Sequence, residues 1–150
     1  MTIFSNKSQL NQAIPATGRI MALDVGSKRI GVATCDETRT IANPRLVLNR
    51  QSNLKDFAKI NDFIHENRII AIIVGLPLNM DGTPSKMSEF VSDFAKNFDE
   101  FLEKKFPILF FDERLSSFEA REIEASQLSR KKEFYDDIAA SLILEHFLSS

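Results

Sequence analysis

A single cysteine in 150 residues excludes an intrachain disulfide and a cysteine-ligated zinc site, and it suits a reducing compartment. Tryptophan is absent and tyrosine occurs once, against 13 phenylalanines. The aromatics therefore lack the polar handles that stacking surfaces favour and read as core filler. Neither sign of charge dominates: 19 basic and 21 acidic residues leave a net charge of −2. That balance argues against a protein that holds nucleic acid by bulk charge. It leaves room for an enzyme that meets phosphates through a metal and a few local cations. Long apolar runs are missing too. The longest, Ile69 to Leu78, contains Gly75 and Pro77 and is about half the length of a membrane helix. The first 18 residues are rich in Ser, Asn, Gln and Thr, with neither an apolar core nor an arginine series, so no targeting peptide is expected there. Residues 1–18 read as a flexible extension, and residues 19–150 as one domain. These absences together lead us to expect a soluble, cytoplasmic chain without a membrane partner.

What remains is an ordinary globular composition, 43% hydrophobic and 27% charged. Ile20–Val25, Ile30–Cys35 and Arg45–Leu48 read as strands joined by short polar turns, which favours an antiparallel meander. Leu54, Phe57, Ala58, Ile60 and Ile64 then recur at helical spacing. Ile69–Val74 is apolar on both faces, as a buried parallel strand requires. The clearest helical stripe follows, through Met87, Phe90, Val91, Phe94, Ala95, Phe98, Phe101 and Leu102. Pro107–Phe111 is a second buried strand. Ser116 with Glu119 resembles a capping box, and a final helix runs from about Glu133 to Leu148. The order predicts an α/β fold whose mixed five-stranded sheet combines a three-strand meander with two parallel strands, helices covering both faces. Right-handed crossovers bring the ends of the first, fourth and fifth strands to one edge, where such folds bind ligands.

Acids stand at that edge. Asp24 closes an apolar strand on the face of Ile20 and Ala22, where an ionised carboxylate is costly unless paired or metal-bound. The competing reading is an Asx-type turn into Gly26. Asp112 and Glu113 end the last strand pointing opposite ways, and spacing leaves open which shares the face of Asp24. An acidic pair opening the following helix is the structural alternative. Asp136 falls in line with Ala139, Ala140, Ile143 and Phe147, the buried stripe of the final helix, whereas Asp137 aligns with the polar Ser141 and Glu145. Capping competes for that position as well. Three carboxylates converging from separate segments need cations, and all-oxygen ligands suit Mg²⁺ or Mn²⁺. The natural chemistry is two-metal phosphoryl transfer. Cys35, His65 and His146 fit poorly as triad members. Gly26-Ser27-Lys28-Arg29 offers backbone amides and two cations beside Asp24, either to hold a phosphate or merely to close a hairpin. Arg130-Lys131-Lys132 could steer a polyanion or be a solvated link.

Taken together the motifs are similar to those of a known family. Leu23-Asp24-Val25-Gly26-Ser27-Lys28-Arg29-Ile30-Gly31-Val32-Ala33, Val74-Gly75-Leu76-Pro77-Leu78-Asn79-Met80-Asp81-Gly82, Asp112-Glu113-Arg114-Leu115-Ser116, and Ser129-Arg130-Lys131-Lys132 with Asp136-Asp137-Ile138-Ala139-Ala140-Ser141-Leu142-Ile143-Leu144 resemble the YqgF (RuvX) family. The resemblance runs from about Arg19 to the C-terminus; the stretch before it has no counterpart in compact members. It implies a ribonuclease H-like fold related to Holliday junction resolvases, and a nuclease maturing the 5′ end of pre-16S ribosomal RNA in the bacterial cytoplasm. Its acidic positions map onto Asp24, Glu113 and Asp136, as catalytic residues and ligands of Mg²⁺ or Mn²⁺, two ions with substrate bound. In resolvase relatives an acid closes the fourth strand; here Gly75-Leu76-Pro77 stands there, so Glu113 must serve instead. Lys28, Arg29, Arg114, Arg130 and Lys131 become the expected phosphate contacts.

The expected partner is structured or precursor ribosomal RNA, met by a monomer or weak homodimer. A DNA junction resolvase is the nearest rival and needs a symmetric dimer. RNA discrimination needs contacts to the 2′-hydroxyl, which no residue announces. A nucleotide-binding module of the actin-like kind would need a second domain. A non-catalytic RNA-binding scaffold would keep its binding without the acids.

Overall fold

The computed structural model describes residues 2–115 and 132–150, with side chains as far as Arg114 and again from Ile138. Among them the chain forms β1 (Ile3–Phe4), α1 (Lys7–Ala13), β2 (Arg19–Val25), β3 (Arg29–Cys35), β4 (Ala42–Asn49), α2 (Asn53–Glu66), β5 (Ile69–Leu76), α3 (Lys86–Phe101) and β6 (Ile108–Asp112). A 3₁₀ turn (Glu113–Leu115) and α4 (Lys132–Ser149) complete the described elements. The capping box read at Ser116 and Glu119 lies outside the described residues.

The strands form one mixed sheet in the order β1-β6-β5-β2-β3-β4. β2, β3 and β4 are the antiparallel meander, while β5 and β6 add parallel beside β2. The described sheet therefore has six strands where five were expected, because Ile3 and Phe4 pair in parallel with Ile108 and Leu109. Within the expected extension, residues 3–13 form β1 and α1. Asn6 caps α1 by accepting from the amides of Ser8 and Gln9, Leu10 is fully buried, and the Lys7 ammonium donates to the carbonyls of Phe147 and Ser150 at the end of α4. A few apolar side chains suffice here, because the open edge of β6 and the end of α4 supply ready partners for the backbone and for Lys7. At the opposite edge β4 begins at Ala42, earlier than expected, and includes Pro44. An edge strand tolerates a residue without an N–H, and the register with β3 slips at this point, between Val32 and Ala33.

Two apolar layers sandwich the sheet. On one face Met21, Leu23, Val25, Ile72, Val74 and Ile108 pack under α2 and α3, through Phe57, Ile60, Ile64, Val91, Phe94, Ala95 and Phe98. Phe57 sits 5.1 Å from the ring centres of both Phe94 and Phe98, so the phenylalanines do fill core. On the other face Ile20, Ala22, Ala33, Cys35, Ala71, Ile73, Leu109 and Phe111 meet Leu10 of α1 and Ala140, Ile143, Leu144 and Phe147 of α4. Burial on both sides explains why β2 and β5 are apolar throughout. No helix among the described residues is long and apolar enough to cross a membrane.

Candidate functional site

Cross-strand register decides which acids meet. Met21 pairs with Ile72, and Ile72 with Ile108, so these three share the α2–α3 face. Side chains alternate along each strand. Asp24, Gly75 and Glu113 each stand an odd number of residues beyond those three and so fall on the opposite face, under α4. Asp112 falls on the other side. Of the two adjacent acids it is Glu113, just past the end of β6, that comes to the face of Asp24.

Asp24 and Glu113 share a hydrogen bond at this edge. Burial, first, pushes the Glu113 carboxyl up to about 9. The charge of Asp24, the hydrogen bond to Asp24 and the charge of Asp112 add to the effect. At neutral pH Glu113 thus keeps its proton and donates it to the Asp24 carboxylate. Gly75 makes the contact possible. A Cβ at that position would lie 2.7 Å from Glu113 Oε1, 2.9 Å from Glu113 Cγ and 2.6 Å from Ile143 Cδ1. Any side chain there would fill the space in which Glu113 crosses β5 towards Asp24. An acid missing from β5 and an acid supplied from the end of β6 are therefore one arrangement.

Asp136 belongs to α4, the helix whose Ile143 packs over Gly75; its side chain lies outside the described residues, as do Arg130 and Lys131. Among the described residues no three His, Cys, Asp or Glu side chains gather into a metal site. The two acids present still fit a divalent ion. They are oxygen donors pressed together so closely that one must hold a proton, and a cation in place of that proton would relieve the repulsion.

Lys28 is exposed in the turn between β2 and β3, and Arg29 opens β3. The Gly26 N–H closes this turn on the Arg29 carbonyl at 2.8 Å, and a Cβ on Gly26 would stand 2.9 Å from that oxygen. Arg114 has a different setting from the two turn cations. Its Nε donates to Asp112 Oδ1 and Oδ2 at 3.0 and 2.9 Å, its Nη2 to Oδ2 at 2.6 Å and its Nη1 to the Met80 carbonyl at 3.0 Å. The hydrogen bonds from Arg114 hold the Asp112 carboxyl below the usual carboxylate range. In this arrangement Arg114 ties the loop after β5 to the end of β6. Two residues bearing on the site went unread in the sequence, Arg50 and Asp56. Asp56 falls at helical spacing with Ile60 and Ile64 and is fully buried. An acid on an apolar stripe was the available signal.

A family model described as "RuvX: Holliday junction resolvase" matches residues 18–150. A protein of Thermoanaerobacter pseudethanolicus is 44% identical over 136 residues, covering 88% of this chain and 96% of that one. A protein of Cereibacter sphaeroides is 38% identical over 139 residues, covering 91% and 86%. Both carry the description "Putative pre-16S rRNA nuclease". Among solved structures, RuvC of T. thermophilus in complex with a Holliday junction substrate superposes with a TM-score of 0.55 at 13% identity, covering 88% of this chain and 94% of that one. At that identity the likeness is one of fold.

Proposed function

Given that this chain belongs to the RuvX family, we propose that it is a divalent-metal-dependent endonuclease that hydrolyses phosphodiester bonds in precursor 16S ribosomal RNA, at the 5′ end. The observation that carries this reading is the close approach of the buried Glu113 carboxyl to Asp24 across Gly75. Nothing in the packing of a stable fold calls for two carboxyls forced together at a sheet edge. The descriptions of the two relatives support the RNA substrate.

Asp24, Glu113 and Asp136 would hold Mg²⁺ or Mn²⁺. Bound there with substrate, two such ions supply an activated water and neutralise charge on the leaving oxygen. The chain's own residues prepare the site. Gly75 keeps open the space for Glu113, and the hydrogen bond to Asp24 holds the Glu113 carboxyl in place. Lys28 and Arg29, with Arg130 and Lys131, would pair with phosphates along the RNA. The loop that Arg114 fastens would border the bound strand. We place the enzyme in the cytoplasm, as a monomer or weak homodimer.

The test offers purified protein, in Mg²⁺ or Mn²⁺, precursor 16S RNA, unstructured single-stranded RNA and a four-way DNA junction. Cleavage of the precursor, lost in Asp24→Asn while RNA binding survives, is the expected result. Cleavage of the junction alone would move the assignment to the resolvase activity named in the family description. Binding without cleavage of any substrate would make the chain a scaffold.

A further inference from the structure

We propose that Arg50 is a positioning residue that fixes the Gly26–Arg29 turn in the form that receives a nucleic-acid phosphate; this rests on the reading of that turn as a phosphate contact. Arg50 follows β4 and grips the turn twice. Its backbone N–H donates to the Lys28 carbonyl at 2.8 Å, and its Nη1 donates to the Gly26 carbonyl at 3.2 Å. The rest of the guanidinium is anchored away from the turn. Nε donates to Asp56 Oδ2 at 2.8 Å and Nη2 to Asn53 Oδ1 at 2.6 Å, both acceptors lying on α2. The guanidinium carbon stands 5.1 Å from the ring centre of Phe94 and 5.7 Å from that of Phe90, both on α3.

Asp56 is held in turn. It is fully buried, and its Oδ1 accepts from the Gln51 N–H at 3.2 Å. A carboxylate buried to this degree needs its cation, so the guanidinium has little freedom to leave. The planar fork of arginine reaches three acceptors on two segments at once; a lysine ammonium at the end of a flexible stem would not hold all three in one geometry.

The consequence for the turn is electrostatic as well as mechanical. Of its carbonyls, Gly26 and Lys28 accept from Arg50 and Arg29 accepts from the Gly26 N–H. Three negative dipole ends are thereby committed to donors within the protein. A phosphate approaching Lys28 and Arg29 meets less opposing charge than a loose turn would present. An ion pair serving stability alone would have no need of the Gly26 carbonyl, since a well-packed apolar pair can stabilise such a position equally well.

The experiment measures binding of a short single-stranded RNA at several salt concentrations, and kcat and KM for RNA cleavage in Mg²⁺. Four proteins are compared: the parent, Arg50→Lys, the double variant Arg50→Met with Asp56→Leu, and Lys28→Ala. Thermal unfolding is followed on each. The double variant removes both buried charges together and so keeps the fold even if Arg50→Lys weakens it. We expect Arg50→Lys and the double variant to bind about tenfold more weakly and to raise KM with kcat within about twofold. Their salt dependence should flatten to that of Lys28→Ala, by roughly one phosphate contact.

Two results overturn the proposal without touching the phosphate reading of the turn. One is a weakened Lys28→Ala beside an Arg50→Lys that binds as the parent does. The other is a double variant that recovers parental affinity together with parental stability, which would make Arg50 a stability device. If Lys28→Ala itself binds as the parent does, the phosphate reading of the turn falls and this proposal with it.

Discussion

Replacing Glu113 with glutamine should make the protein more stable while removing its activity. The ordinary glutamate value is 4.5, and in the folded chain Glu113 is pushed up to about 9, by burial first and by Asp24 next. Below pH 4.5 the carboxyl is protonated in folded and unfolded chains alike, and its favourable contribution is fully present. Between those two values the unfolded chain releases the proton and the folded chain retains it, so stability declines as pH rises. Each pH unit in that window is worth about 1.4 kcal/mol, and the interval from 4.5 to neutrality amounts to about 3 kcal/mol at pH 7. Glutamine keeps the shape and a donor towards Asp24 but has no proton to lose. Urea unfolding of parent and Glu113→Gln, between about pH 5 and 8 without added metal, should show the variant ahead by up to about 3 kcal/mol at pH 7. The two should converge towards pH 4.5, and Mg²⁺-dependent cleavage should be absent in the variant throughout. Parallel stability curves across that range would refute the reasoning, because they would mean that Glu113 ionises as easily in the fold as in the unfolded chain.

Gly75→Ala puts a methyl group 2.6 Å from Ile143 Cδ1 and 2.7 Å from Glu113 Oε1. We expect a loss of about 1–3 kcal/mol in urea unfolding, as overpacking typically costs, with cleavage lost and RNA binding retained; unchanged cleavage would show that Glu113 does not need this space. Lys7→Met removes the donor to the carbonyls of Phe147 and Ser150. A loss of about 1 kcal/mol is expected, seen as faster amide exchange in the last turn of α4, and wild-type exchange there would deny the cap its role.

The interior of the fold was legible because its signals are local. β2 and β5 are apolar on both sides, the α3 stripe through Val91, Phe94, Ala95 and Phe98 repeats at helical spacing, and short polar turns announce the meander. The parts that escaped depend on partners far along the chain. β1 is two residues long and exists because the edge of β6 accepts it, a fact that Ile3 and Phe4 do not contain. For the site, alternation shows that Asp112 and Glu113 diverge, but the facing acid follows only from the register Met21–Ile72–Ile108 across three strands. The YqgF resemblance points to Glu113, and the register shows only that Glu113 and Asp24 share a face. Gly75 was read as a missing acid, whereas its value lies in the room it leaves. The bonds from the Arg114 guanidinium to Asp112 and the Met80 carbonyl were not legible, because Met80 lies 34 residues away. Asp56 and Arg50 are only a few positions apart, yet their pairing needs the chain to turn from β4 into α2.

The anchoring of Lys7 has a consequence for how the molecule is made. Its acceptor on Phe147 lies 140 residues downstream. During synthesis the amino-terminal helix emerges early, can dock on the sheet only once β6 is made, and gains the Lys7 anchor only with α4. Closure of this corner is therefore a late event in folding, governed by pairings between the two ends of the described chain.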